Sequence, residues 1–200
     1  MRLIGLTGGI GSGKSTVSAG LVRRGAVLVD ADAIVKELQQ PGTTVFAEMV
    51  ERFGGGIVAP DGSLDRAAVA AIVFNDPDAL AALGMIVHPR VHEEIERRVA
   101  EQVGTDHVVV LDIPLLAESG WPGLIGTIVV DLDPEVAVQR LVAHRGFDEA
   151  DARARIANQA TRGARLATAD FVVDNGGTVA DLEAEVDRAW DWIHTIEPAT

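Results

Sequence analysis

Residues 8–15 constrain the fold of this 200-residue chain more than any other stretch. They read GGIGSGKS and fit the pattern G-x-x-x-x-G-K-[ST] at every position. The apolar residues 3–6 before them predict a buried strand, and the apolar spacing over residues 17–22 predicts a helix after them. Strand, loop and helix in this order favour a phosphate-binding loop over an ordinary glycine-rich turn.

The residue types in the loop suit an anion. Glycine reaches backbone conformations that a Cβ forbids, so successive N–H groups can turn inward around a phosphate. A helix that starts near Gly13 directs the positive end of its dipole to the same place. Lys14 then supplies a mobile charge for the β- and γ-phosphates, and Ser15 supplies a hydroxyl for Mg²⁺. The predicted phosphate-binding residues are Gly8, Gly9, Gly11, Ser12, Gly13, Lys14, Ser15 and Thr16.

Composition and charge limit the class of protein. The chain has no cysteine, no apolar run near the roughly 20 residues of a membrane span, and too few apolar residues before the loop for a signal peptide. Its formal net charge is −13, although residues 1–29 contain only basic charges and residues 140–165 contain six arginines. We expect a cytoplasmic protein without a membrane or nucleic-acid partner, either a monomer or a small homo-oligomer.

Two predicted strands after the loop end in aspartate. Residues 26–29 run into Asp30 and Asp32, and residues 107–111 run into Asp112. Residues just beyond the carboxyl ends of parallel strands line the ligand crevice, so Asp30 and Asp32 should face the phosphate loop. Either can serve as the base that an acceptor hydroxyl needs, or as a helix cap. Asp112 is a possible Mg²⁺ ligand, or a turn residue.

Strands and helices alternate along the chain, which predicts one α/β domain of three layers around a parallel five-stranded sheet. The expected core comprises residues 1–37, 104–139 and 166–200. Residues 38–103 lack a strong strand and are predicted to form an inserted helical lobe for the acceptor, or a structural extension.

Within the lobe, Asn75-Asp76-Pro77 predicts a helix start, with Asp76 as the cap and Pro77 in the first turn, and His88-Pro89 repeats this pattern. His88 and His92 are four residues apart, but H-E-x-x-H is absent, so surface or capping roles are favoured over metal binding.

Residues 140–165 are predicted to form an arginine-rich lid. A solvated helix face usually explains a run of charges. Here the excess charge is one-sided, since six arginines stand against Asp148, Glu149 and Asp151, and apolar residues are few. This suits arginines that reach a transferring phosphoryl group with a bidentate fork. The arginines are Arg140, Arg145, Arg153, Arg155, Arg162 and Arg165.

A phosphate loop alone leaves several classes of protein open. A switch GTPase needs a guanine-reading Asn-Lys-x-Asp, which the chain lacks, since its only lysines are Lys14 and Lys36. The length, the strand-end carboxylates and the arginine segment favour phosphoryl transfer to a small hydroxyl compound. A nucleotide-binding regulator that only senses ATP is the non-enzymatic alternative.

Further motifs accompany the loop pattern. They are the doubled glycine before Ile10, Asp30-Ala31-Asp32, Phe53-Gly54, Leu64-Asp65-Arg66, His88-Pro89, Asp112-Ile113-Pro114-Leu115-Leu116, Arg155-Ile156 with Gln159, and Ala169-Asp170 with Asp174-Asn175. The doubled glycine and the Pro114-Leu115-Leu116 run are more specific than the loop itself. With these motifs the chain resembles the dephospho-coenzyme A kinases over nearly its whole length.

The resemblance implies ATP-dependent phosphorylation of the ribose 3′-hydroxyl of dephospho-CoA, the last step of coenzyme A synthesis, with Mg²⁺ as cofactor and ATP as donor. By position, Lys14 would stabilise the phosphates, Ser15 would bind Mg²⁺, Asp32 would orient or deprotonate the hydroxyl, and Arg140 would clamp phosphates. The lobe would hold the acceptor, with His88 and Pro89 at its edge. Further candidates for the acceptor pocket and the lid are Asp30, Pro114, Leu115, Arg145 and Arg155.

Overall fold

The computed structural model describes residues 1–74 and 76–198. The chain divides into two compact units, one formed by Met1–Val29 with Gln102–Thr200 and the other by Asp30–Glu101. The strands are β1 (Arg2–Gly8), β2 (Val27–Asp30), β3 (Val108–Asp112), β4 (Gly126–Asp131) and β5 (Phe171–Asp174). The helices are α1 (Lys14–Arg23), α2 (Ala31–Leu38), α3 (Thr44–Phe53), α4 (Arg66–Val73), α5 (Pro77–Ala100), α6 (Leu116–Ser119), α7 (Pro134–Arg145), α8 (Glu149–Ala157), α9 (Arg162–Leu166) and α10 (Val179–Thr195).

The five strands form one parallel sheet in the order β2-β3-β1-β4-β5. β1 lies at the centre, where Leu6 pairs with Asp112 of β3 and Gly8 pairs with Val130 of β4. The carboxyl ends of β1, β3 and β4 therefore meet at one edge, and the phosphate loop leaves the sheet there. The predicted α/β class and the parallel five-stranded sheet are confirmed.

The core of the first unit lies between the sheet and two helices. Alternate residues of a strand point to the same face, so Ile4 and Leu6 of β1 and Ile128 and Val130 of β4 form one apolar layer. α1 and α10 cover that layer with side chains that are almost fully buried: Val17, Leu21, Leu182, Val186, Ala189 and Ile193. β3 is buried at every position, as expected of a strand with helices on both faces.

The second unit is helical, with a separate core that includes Val45, Met49 and Val87. Its longest helix, α5, begins at the predicted cap Asp76, whose carboxylate accepts bonds from the N–H groups of Asp78 and Ala79 at 2.9 and 3.0 Å. Asn75, the other residue of that predicted start, lies outside the described residues.

The second predicted helix start, at His88, is wrong. His88 and Pro89 lie inside α5, which is continuous over 24 residues. A proline inside a helix removes one intrahelical hydrogen bond. Val87 and Ile95, on either side of Pro89, are 5% and 2% exposed. Burial on both sides keeps the helix in one piece, and the local proline signal cannot reveal such packing.

Candidate active site

The phosphate loop joins β1 to α1. Gly13 has φ of 89°, in the left-handed region, and Lys14 is the first residue of α1. The N–H groups of Thr16 and Val17 donate to the Gly13 carbonyl oxygen at 2.9 and 3.3 Å. Among the described residues, the N–H groups of Lys14 and Ser15 have no intramolecular partner. These two donors therefore remain available at the positive end of the helix dipole.

Asn175 lies against the loop. Its Nδ2 donates to the carbonyl oxygen of Ser12 at 2.7 Å, and the residue is 6% exposed. A Cβ placed on Gly13 would lie 2.1 Å from that nitrogen. Position 13 therefore requires glycine for two reasons, its positive φ and the packing of Asn175. The sequence analysis names Asn175 only as part of a motif and does not predict its contact with the loop. Its position just past the end of β5 is the sequence signal that could have indicated this contact.

The side chain of Ser12 is buried at the same point. Its Oγ has no hydrogen-bond partner among the described residues. A Cβ on Gly8 would lie 2.6 Å from this oxygen, so the first glycine of the loop makes room for it. A buried hydroxyl without a partner costs free energy. A phosphate oxygen within reach would lower that cost.

Lys14 and Asp112 form an ion pair between the loop and the end of β3. Their side chains are 15% and 3% exposed, so water screens the pair only weakly. Next to it, the Thr7 hydroxyl donates to the Pro114 carbonyl oxygen at 3.1 Å, whereas Leu115 is 50% exposed. The structure thus brings together Lys14 and Asp112, two of the residues chosen from the sequence, and places Pro114 in contact with Thr7 of β1.

The arginines of the predicted lid differ in their partners. Arg153 pairs with Glu135 at 2.7 Å, Arg155 with Asp151 at 3.2 Å, and Arg162 with Asp131 at 2.6 Å. The bond from Arg153 lowers the pKa of Glu135 and holds this carboxylate in its charged form. Arg155 also lies over the Phe147 ring, 5.0 Å from its centroid. These three guanidinium groups are therefore held by the protein's own carboxylates.

Arg140 lies inside α7 and faces the loop. Its Nη2 donates to the main-chain carbonyl oxygen of Asn175 at 2.8 Å. α7 is uninterrupted from Pro134 to Arg145, so the predicted lid boundary at residue 140 falls within a helix. α7, the loop and the start of α10 together enclose a cavity of about 380 Å³. The lining includes Gly11, Gly13, Thr16, Arg140, Arg145, Asn175 and Gly177.

The remaining candidates belong to the second unit. Asp30 caps α2 and accepts from the Ala33 N–H at 3.0 Å, so Asp30 takes the capping role. Asp32 is exposed in the first turn of α2 and lines a cavity of about 280 Å³ with Lys36 and Arg66. The two flanking cations make this cavity suitable for an anionic ligand.

His88 and Pro89 line an apolar groove of about 820 Å³ in the second unit. Most of its other lining residues are aliphatic: Val35, Leu80, Ala81, Leu83, Met85 and Val87. His92, by contrast, lies within 3.2 Å of Glu96 on the helix surface. Within the described residues no group of three His, Cys, Asp or Glu side chains could hold a metal ion. In the same part of the chain, no helix is both long and apolar enough to cross a membrane.

The Dephospho-CoA kinase family model matches residues 2–181. The chain belongs to the dephospho-CoA kinase family. Dephospho-CoA kinase from Streptomyces avermitilis is 52% identical over 97% of this chain and 95% of its own. The one from Thermobifida fusca is 46% identical over 96% of each chain. Because the chain belongs to this family and its relatives are kinases, it is a kinase.

Two solved structures extend the comparison. TT1252 from Thermus thermophilus is 35% identical, covers 96% of this chain and 97% of its own, and has a TM-score of 0.79. Dephospho-CoA kinase from Campylobacter jejuni shares the fold at 23% identity, with a TM-score of 0.73 over 98% of each chain. The resemblance to dephospho-CoA kinases noted from the motifs is confirmed, as is the P-loop kinase fold.

Proposed function

We propose that this chain transfers the γ-phosphoryl group of ATP to the ribose 3′-hydroxyl of dephospho-CoA, yielding coenzyme A and ADP. The family match over residues 2–181 carries the proposal. In the reaction, the hydroxyl oxygen forms a bond to the γ-phosphorus and the bond from that phosphorus to the β–γ bridging oxygen breaks. The hydroxyl proton leaves to a base or to water. Such a loose transition state depends mainly on positioning and on compensation of negative charge.

The loop and the cavity beside it form the proposed donor site. The free N–H groups of Lys14 and Ser15 would bind phosphate oxygens, and the cavity beside Arg140 and Asn175 would hold the adenosine part of ATP. Lys14 would exchange its contact with Asp112 for the β- and γ-phosphates as ATP binds. Its role is then to stabilise charge during transfer rather than only to anchor the nucleotide.

The residues at the loop fit a magnesium ion. The Ser15 hydroxyl and the Asp112 carboxylate offer oxygen atoms, the donors that Mg²⁺ prefers, and Mg²⁺ usually takes its other ligands from substrate phosphates and water. When bound, the ion would neutralise charge on the β- and γ-phosphates. Ser15 would hold it directly, and Asp112 directly or through water.

The helical unit forms the proposed acceptor site. Asp32 would orient the 3′-hydroxyl, and Lys36 and Arg66, which line the same cavity, would attract the diphosphate of dephospho-CoA. The groove beside His88 and Pro89 would take the pantetheine arm, because its mainly aliphatic walls suit the methyl and methylene groups of that arm and its volume lies in the range of small-molecule sites.

Release of ADP from MgATP, measured against a panel of acceptors, tests the proposal. Dephospho-CoA should stimulate ADP formation, while nucleosides, shikimate and sugar acids should not. Stimulation by another acceptor alone would replace the proposal with a related small-molecule kinase. Tight ATP binding without any acceptor-dependent turnover would favour a nucleotide-sensing regulator.

A further inference from the structure

The tip of the phosphate loop is a turn that a distant segment of the chain holds in place. The Ser12 N–H donates to the Gly9 carbonyl oxygen at 3.0 Å, and Gly11 has φ of 79°, which fits a type II β-turn. The Ile10 N–H points out of this turn and donates to Gln159 Oε1 at 2.9 Å. This N–H group is therefore attached to the end of α8.

The side chain of Ile10 is held by the same part of the chain. It packs against a small apolar cluster formed by α7 and α8, whose buried members are Val138, Leu141 and Ala152. A Cβ placed on Gly11 would be 3.2 Å from Leu141 Cγ, so the loop lies directly on α7 at the next position as well. The loop pattern allows any residue at position 10 and does not explain an isoleucine there. Contact with the cluster explains it, because burial of an apolar side chain stabilises the packing of the loop on the two helices.

The neighbours of Gln159 fix its position. Its own N–H donates to the Ile156 carbonyl oxygen at 3.2 Å, at the end of α8. The next residue, Ala160, donates its N–H to Glu118 Oε1 at 2.8 Å, and its carbonyl oxygen accepts from Arg165 Nη1. The protein itself thus holds the backbone around Gln159. The amide oxygen therefore meets the loop with little further loss of conformational entropy.

An amide suits this position better than a carboxylate would. Both groups accept a hydrogen bond from the Ile10 N–H, but a glutamate would place a negative charge beside a loop that fits phosphates. Gln159 supplies the acceptor oxygen without the charge. This residue type favours a role in shaping the loop for an anionic ligand over a role in packing alone.

We propose that Gln159 is a positioning residue for the donor site. Its amide oxygen holds the turn at Ile10 in the shape that receives the phosphates, without touching the nucleotide. The inference rests on the proposed function only in that ATP binds at the loop. Because Ile10 belongs to the loop and also packs on α8, nucleotide affinity and the stability of α8 are coupled. Such coupling is reciprocal, so bound nucleotide should stabilise α8 by the factor that α8 adds to nucleotide affinity.

Binding and turnover measurements test the hydrogen bond. Gln159→Met keeps the length of the side chain but removes the acceptor, so the affinities for ATP and ADP should both fall about fivefold, the effect of one neutral hydrogen bond. The KM for ATP should rise by the same factor, while kcat at saturating ATP stays within about twofold, because the lost bond weakens ground state and transition state alike. Gln139→Met is the matched control. Gln139 is an exposed glutamine of α7 that lines a separate cavity with Glu149 and Arg153, and its replacement should change neither affinity.

Gln159→Glu separates positioning of the loop from a structural role. This variant keeps the acceptor oxygen, so its melting temperature without nucleotide should equal that of the wild type. Its ATP affinity should nevertheless fall, and the loss should shrink as salt is added, because ions screen the repulsion between the new charge and the phosphates. The loss in Gln159→Met, which adds no charge, should not depend on salt in this way.

Hydrogen exchange measures the other side of the coupling. Bound ADP should slow the exchange of the α8 amides in the wild type, and Gln159→Met should reduce this slowing by about fivefold, the factor expected for nucleotide affinity. Gln139→Met should leave the slowing unchanged.

The outcomes separate the two proposals. Wild-type affinities for ATP and ADP in Gln159→Met, or wild-type ATP affinity in Gln159→Glu at every salt concentration, would overturn the role of Gln159. If Gln159→Met unfolds, Gln159→Glu decides by its salt dependence. If the wild-type protein transfers phosphate to no acceptor but the expected affinity losses are seen, the positioning role stands and the proposed acceptor fails.

Discussion

Asn175 Nδ2 donates to the Ser12 carbonyl oxygen at 2.7 Å, and this bond joins the end of β5 to the phosphate loop. The carbonyl oxygen of the same asparagine accepts from Arg140 Nη2 at 2.8 Å. One buried residue thereby positions both the loop and the cavity beside it. Because buried polar groups are costly to leave without partners, this arrangement should be sensitive to small changes.

Gly13→Ala should abolish measurable ATP binding, since its Cβ would lie 2.1 Å from Asn175 Nδ2 and its backbone would be strained at φ of 89°. Gly25→Ala separates the two causes. Gly25 has φ of 107°, but a Cβ added there would meet no atom within 4 Å, so this variant should lose about 1 kcal/mol of stability and keep its ATP affinity. Calorimetric titration with ATP checks both variants. Normal ATP affinity in Gly13→Ala would contradict the steric argument.

Lys14→Met should reduce kcat by about 100-fold or more, because it removes a charge that acts on the transferring phosphoryl group. It should also lower the free energy of unfolding, since the buried Asp112 carboxylate loses its cation. The double variant Lys14→Met/Asp112→Asn should recover part of the stability and none of the turnover. Denaturant titration together with an ADP-release assay measures both effects. A stability loss in the double variant equal to the sum of the single losses would argue against the ion pair.

Asp32→Asn should keep ATP affinity and lose most turnover, by about 100-fold, because it removes the group that orients the acceptor hydroxyl. Asp78→Asn is the matched control. Asp78 is also an exposed aspartate in the first turn of a helix, α5, and lines none of the cavities described above. Single-turnover assays with MgATP and dephospho-CoA report the chemical step. An unchanged rate in Asp32→Asn would remove Asp32 from the mechanism.

Glu94 should make part of the stability depend on pH. Hydrogen bonds from Arg97 and then Arg98 lower its pKa from 4.5 to about 2. A carboxylate whose pKa is depressed by folding stabilises the fold above its unfolded pKa, and this contribution disappears as the pH falls through the folded value. The free energy of unfolding of the wild type should therefore exceed that of Glu94→Gln by about 1 kcal/mol at pH 7, and this difference should shrink between pH 4.5 and 2. Denaturant titrations at several pH values check this, and a difference that stays constant across that range would contradict it.

Several elements could be predicted because their signals are local. The loop glycines, the apolar run that becomes β3 and the cap at Asp76 each depend on residues within a few positions of one another. The failed prediction at His88 had the same basis: its proline is a local signal, whereas the burial of Val87 and Ile95 that keeps α5 continuous is not. The roles assigned to Asp32, Arg140, Arg145 and Arg155 stay predictions.

The sequence by itself determined the class of fold and predicted the phosphate-binding chemistry. The alternation of strand and helix patterns along the chain predicts the fold, and the spacing and residue types of residues 8–15 predict the chemistry. Only the tertiary structure decided which side chains meet at the loop. Three contacts at the loop join residues that are distant in sequence: Lys14 contacts Asp112, 98 residues away, Ile10 contacts Gln159, 149 residues away, and Ser12 contacts Asn175, 163 residues away. Such contacts follow from the strand order β2-β3-β1-β4-β5, which brings distant segments to one edge of the sheet. Local periodicity carries no information about that order, so the partners of the loop could not be predicted from it.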